Sequence, residues 1–108
     1  MTDLDFDLNV ARDERGTCRL TLRGELDLGT AEQLERALAD AGDDVVLDLR
    51  GLTFMDSTGV RMLLEAADGN HPGLRIIAPA SGDVRVTIEE TGIGPLLPLV
   101  EPGAEERS

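Results

Sequence analysis

Lysine is absent from this chain, and cysteine and histidine occur once each. Without lysine there is no Gly-x-x-x-x-Gly-Lys loop to cradle nucleotide phosphates. A lone Cys18 excludes an intramolecular disulfide and a cysteine-based zinc site. It alternates with Leu20 and Leu22 and reads as a small buried hydrophobe. His71 lies in the loop Gly69-Asn70-His71-Pro72-Gly73, and one loop histidine is poor material for a triad or a metal site. No apolar run approaches the ~20 residues a membrane helix needs. Met1–Asp5 lacks the basic region and apolar core of a signal peptide. These absences predict a soluble, cytoplasmic protein that is not an enzyme and holds no cofactor or metal. Positive charge is also scarce: ten Lys plus Arg oppose 22 Asp plus Glu, for a net charge of −12. Such a surface repels phosphate backbones and anionic lipid, which excludes nucleic acid and membrane as partners and suits a protein with a basic face.

What is present is strong periodicity. Leu4, Phe6, Leu8 and Val10 alternate with polar residues, as do Cys18, Leu20 and Leu22, and the two runs flank the turn Arg12–Gly16. They predict an antiparallel hairpin with acidic residues facing arginines. Thr30 and Gln33 fit a capping box for a helix carrying Ala31, Leu34, Ala37, Leu38 and Ala41 on one face and ending at Gly42. A buried strand over 44–49, a helix over about 58–68 with Val60, Leu63, Leu64 and Ala67 on one face, and a strand over 74–78 follow. Ser81 is the expected N-cap of a third helix that stops at Gly92. Leu96–Val100 is expected as a short edge strand, since Pro98 cannot donate to a central ladder. The order β-β-α-β-α-β-α-(β) implies a mixed sheet flanked by helices, because helical crossovers place later strands parallel. At 108 residues the chain reads as one domain over 1–100 with a flexible acidic tail over 101–108.

The candidate site is Phe54-Met55-Asp56-Ser57-Thr58-Gly59-Val60, a polar turn between strand and helix. A helix start has unpaired amides and a dipole that favour negative charge. A hydroxyl there can carry a phosphate, which makes Ser57 the candidate switch residue, with Thr58 as a backup acceptor. Asp56 is the expected N-cap, and Gly59 leaves room for a partner or a backbone to approach. Ser57 lacks the Gly-x-Ser-x-Gly elbow of a serine hydrolase. Glu25 and Asp27, two carboxylates close in sequence, have no histidine or nucleophile beside them for acid–base work.

Three segments of this layout together resemble the STAS domain, the family named for sulphate transporters and anti-sigma-factor antagonists. They are Arg23-Gly24-Glu25-Leu26-Asp27, Val46-Leu47-Asp48-Leu49 with Phe54-Met55-Asp56-Ser57-Thr58-Gly59, and Glu90-Thr91-Gly92-Ile93. The resemblance runs from about residue 4 to 100. It implies an α/β fold with a curled mixed β-sheet: an N-terminal antiparallel hairpin, later strands parallel, and flanking helices. For stand-alone antagonists it also implies a cycle. The unphosphorylated protein binds an anti-sigma factor, itself an ATP-dependent serine kinase; phosphorylation of Ser57 releases it, and a serine phosphatase restores it. The resemblance further implies a partner surface of Glu25, Asp27, Asp56, Ser57, Thr58, Gly59 and Arg61. The alternative is a constitutive, unphosphorylated STAS subunit of a signalling scaffold or a transporter ATPase complex.

Overall fold

A computed structural model describes residues 6–104 of the chain. Strand β1 (Phe6–Arg12) pairs antiparallel with β2 (Cys18–Leu26), with Asp7 opposite Arg23 as the hairpin reading expects. Helix α1 (Ala31–Ala41) crosses over to β3 (Val45–Met55), which lies parallel to β2. Helix α2 (Ser57–Ala66) leads to β4 (Arg75–Ile77), parallel to β3, and α3 (Asp83–Thr91) follows. The sheet order is β1-β2-β3-β4. Two crossovers that step in one direction put α1 and α2 on the same face if both are right-handed.

That face is the core. Leu20, Leu22, Val45, Leu47, Leu49 and Ile76 are buried there against Leu34 and Leu38 of α1 and Met62 and Leu63 of α2. The opposite face follows from strand register and carries Arg19, Thr21, Val46, Asp48, Arg75 and Ile77. Asp48 is the one buried charge among the described residues. It accepts from Arg19 Nη2 at 3.0 Å and from Arg50 Nη2, Nε and backbone N at 2.8, 3.0 and 3.1 Å. Burial pushes its carboxyl up. The Arg50 side-chain and backbone hydrogen bonds, the Arg50 charge and the Arg19 hydrogen bond outweigh that and hold it below its ordinary value.

Several sequence expectations are corrected. The strand expected over 44–49 runs on to Met55, because register shifts between Thr21 and Arg23 and between Gly24 and Glu25 let β2 and β3 stay paired to their ends. Thr30 stands at the N-cap of α1, but its side chain makes no cap bond. Its hydroxyl instead donates to the Glu25 carbonyl at 2.9 Å and accepts from the Asp27 amide at 3.0 Å. At α3 the cap is Gly82, not Ser81; a φ of +93° there suits glycine. Leu96–Val100 is not a strand. Residues Gly94–Leu96 form a 3-10 turn, and a single bridge joins Leu99 to Ile76. Leu4 and the residues beyond 104 lie outside the described part. At the other end of α1, Arg12 donates to the carbonyls of Asp40 and Ala41 at 2.9 and 3.3 Å, supplying the cation that the helix's last turn lacks.

Candidate functional site

The site forms where β2 and β3 end side by side. Leu26 pairs with Met55, and Glu25 with Phe54. Each strand is then followed by a carboxylate that organises a helix start. After β2, Asp27 Oδ1 accepts from the Gly29 and Thr30 amides at 3.0 and 3.2 Å, and its carbonyl takes the Ala31 amide at 2.8 Å. After β3, Asp56 Oδ1 accepts from the Thr58 and Gly59 amides at 2.9 and 3.2 Å, an aspartate N-cap as expected. The Asp56 amide donates to the Leu26 carbonyl at 3.2 Å, which ties the two loops together.

Ser57 is thereby held at the first position of α2, exposed, and among the described residues its hydroxyl has no hydrogen-bond partner. Thr58 is half-buried, so the less hindered hydroxyl is that of Ser57. Gly59 is buried. A Cβ there would stand 2.3 Å from Met55 Cγ and 3.1 Å from the Leu26 carbonyl oxygen. The space it leaves is therefore filled from within, by β3's last side chain and β2's backbone. Glu25 and Asp27 are half-buried beside this loop, and Arg61 is exposed one turn along α2. All seven sequence-designated residues thus gather at one end of the sheet.

Two residues at this end were not singled out as site residues. Leu28 is 77% exposed and Phe54 42% exposed, both large apolar side chains on a highly charged protein. Phe54 lies next to Glu25 in the ladder and Leu28 sits in the Asp27–Thr30 loop. Their apolar character is plain in the sequence, but their exposure is not: only the sheet register and the loop turn them outward. Among the described residues there is no cluster of three or more His, Cys, Asp or Glu able to hold a metal, and no helix is long and apolar enough to cross a membrane.

A mixed sheet flanked by helices, with an aspartate-capped α2 beside the end of β2, is a fold of the STAS type. The family model described as "Mlab, STAS domain" matches residues 10–99, and the chain belongs to that family. It is similar to an anti-sigma factor antagonist from Mycobacterium paratuberculosis, with 29% identity and a TM-score of 0.74 over 87% of this chain and 84% of that one. It is also similar to the anti-sigma factor antagonist SpoIIAA. The unphosphorylated form gives 26% identity and a TM-score of 0.66 over 93% of this chain and 91% of that one. The phosphorylated form, from Bacillus, gives 25% identity and 0.62 over 93% and 95%. Among curated proteins, one match at 31% identity over 93 residues is the Holliday junction branch migration complex subunit RuvB of Latilactobacillus sakei subsp. sakei (strain 23K). It involves 80% of this chain, which spans only 28% of that protein's length. The whole chain's net charge of −12 runs against DNA binding.

Proposed function

We propose that this chain is an anti-sigma-factor antagonist that works as a phosphorylation-controlled partner switch. In the unmodified state the surface at the ends of β2 and β3 binds an anti-sigma factor and so frees a sigma factor for transcription. The anti-sigma factor acts as the serine kinase. The γ-phosphoryl group of ATP passes to Ser57 Oγ, a P–O bond replaces the hydroxyl O–H, the proton leaves to base and ADP departs. A phosphatase hydrolyses the phosphoserine to serine and inorganic phosphate. The chain itself catalyses neither step.

The observation that carries this reading is the exposed hydroxyl of Ser57 on a helix start held by Asp56 and tied to β2. The phosphate would add about −1.5 to −2 charge to a surface that already bears Glu25, Asp27 and Asp56. Set against a partner's carboxylates, or desolvated without a cation, it disfavours the complex by several kcal/mol. A hundredfold loss of affinity needs only about 2.8 kcal/mol. Release therefore requires no refolding.

Intact-mass analysis with site mapping on the native protein, from growing and from stressed cells, tests the reading. We expect one phosphoryl group on Ser57 whose occupancy changes with condition. We also expect Ser57→Ala to bind the kinase partner and to stay bound when ATP is added. Dissociation of that variant by ATP would overturn the mechanism.

One observation favours a second reading. The matched family model is described by the Mlab name, not as an antagonist. Under that reading the chain is a constitutive subunit of a signalling scaffold or a transporter ATPase complex. It would then be unmodified in every condition and co-purify with that complex.

A further inference from the structure

A phosphate on Ser57 would not find the helix start empty. Asp56 Oδ1 already holds the amides of Thr58 and Gly59, and the Val60 amide donates to the Asp56 carbonyl at 3.0 Å. Of the first four α2 amides only that of Ser57 is left. The carboxylates around it are Asp56 on the same turn and Glu25 and Asp27 at the end of β2. The helix dipole is thus screened by an existing anion, and the local field opposes a second one.

Arg61 is the one basic residue of α2. It lies four residues after Ser57, so the two share a face of α2 with their Cβ atoms about 5–6 Å apart. Both are exposed. Among the described residues Arg61 makes no hydrogen bond or ion pair. Arg19 and Arg50 bind Asp48, Arg36 binds Glu32, Arg75 binds Asp44 and Arg12 binds helix carbonyls. Arg23, exposed on β2, is like Arg61 without a hydrogen bond or ion pair among the described residues. Glu65 and Asp68 line a shallow cleft with Arg61, yet neither pairs with it. The Arg61–Glu65 spacing runs cation first, the weaker orientation on a helix, whereas an anion at 57 and a cation at 61 run in the favoured one.

We infer that Arg61 is the internal counter-ion of a phosphate on Ser57, a role that rests on the switch reading above. Its guanidinium forks onto two phosphate oxygens as it does onto a carboxylate. Phosphorylation then does two things at once. It adds negative charge to the partner surface and it withdraws from that surface a cation available, in the unmodified protein, to a partner carboxylate.

The test uses the full chain with phosphoserine genetically encoded at position 57, followed by 31P NMR over a pH titration. The phosphate's second ionisation lies near pH 6, inside the range of the titration. We expect Arg61→Ala to raise that apparent pKa by about 0.15–0.4 pH unit. Arg61→Lys should recover part of the shift, and 1 M NaCl should erase the difference. Arg36→Ala, also exposed but on α1, should leave the titration unchanged. An Arg61→Ala titration within about 0.1 unit of its parent, with an unchanged circular dichroism spectrum, would sink the inference. So would a chain that encoded phosphoserine unfolds. Absence of phosphoserine in the native protein would count against the switch reading instead, since the encoded residue tests Arg61 either way.

Discussion

At the scale of single residues, the motif Met-Asp-Ser-Thr-Gly divides its labour. Asp56 caps, Ser57 is presented, and Gly59 is needed for what it lacks. In an ordinary helix, replacing glycine by alanine stabilises by up to about 1 kcal/mol. At position 59 the added Cβ meets the Met55 side chain and, behind it, a backbone carbonyl that cannot swing away. Overpacking of this kind costs about 1–3 kcal/mol. Gly59→Ala is therefore expected to lower the urea midpoint and to displace the start of α2, with a loss of partner binding beyond the loss of stability. A variant as stable as the parent would show that Met55 moves aside freely.

At the scale of elements, β3 joins the core to the site. Its alternate side chains enter the core on one face, and on the other Asp48 is clamped by Arg19 and Arg50. Because the Asp48 carboxyl is held below its ordinary value in the folded chain, ionised Asp48 stabilises the fold above the unfolded carboxylate's pKa. That contribution is lost as pH falls from about 4 through the depressed folded value. Asp48→Asn is expected to cost about 1–3 kcal/mol at pH 7, from charge-assisted bonds to half-exposed arginines. The gap between variant and parent should narrow in denaturation experiments as pH falls below the unfolded carboxylate's range and through the depressed folded value. A gap that persists into acid would mean that the aspartate's shape, not its charge, matters.

At the scale of the whole molecule, a chain of net charge −12 places exposed Leu28 and Phe54 beside its candidate switch. Apolar side chains surrounded by charge at one sheet end are suited to be anchors, since a few desolvated residues carry most binding energy at protein interfaces. Leu28→Ala is expected to change unfolding free energy by less than about 0.5 kcal/mol, because the side chain packs on little. It should weaken binding to the anti-sigma factor by about tenfold or more, measured by titration calorimetry. Undiminished affinity in both Leu28→Ala and Phe54→Ala would move the contact surface elsewhere on the chain.

The sequence by itself determined the element order as far as α3, the hairpin, the presence of α1 and α2, the aspartate cap at 56 and the gathering of motif residues into one family pattern. These rest on local periodicity and on short-range hydrogen bonding, which a chain carries in its own spacing. Tertiary structure alone decided the rest. The buried face of α2 is Gly59, Met62, Leu63 and Ala66, not the expected Val60, Leu63, Leu64 and Ala67, of which Val60, Leu64 and Ala67 are half-buried. The bulges that carry β3 to Met55 depend on pairing with a distant strand. Thr30 turns from its own helix to Glu25 and Asp27 because the β2 end offers those partners. Leu96–Val100 fails as a strand because only Leu99 bridges to β4. Which hydrophobes stay outside, Leu28 and Phe54 among them, is set by register and loop closure, and these depend on residues far apart in the chain.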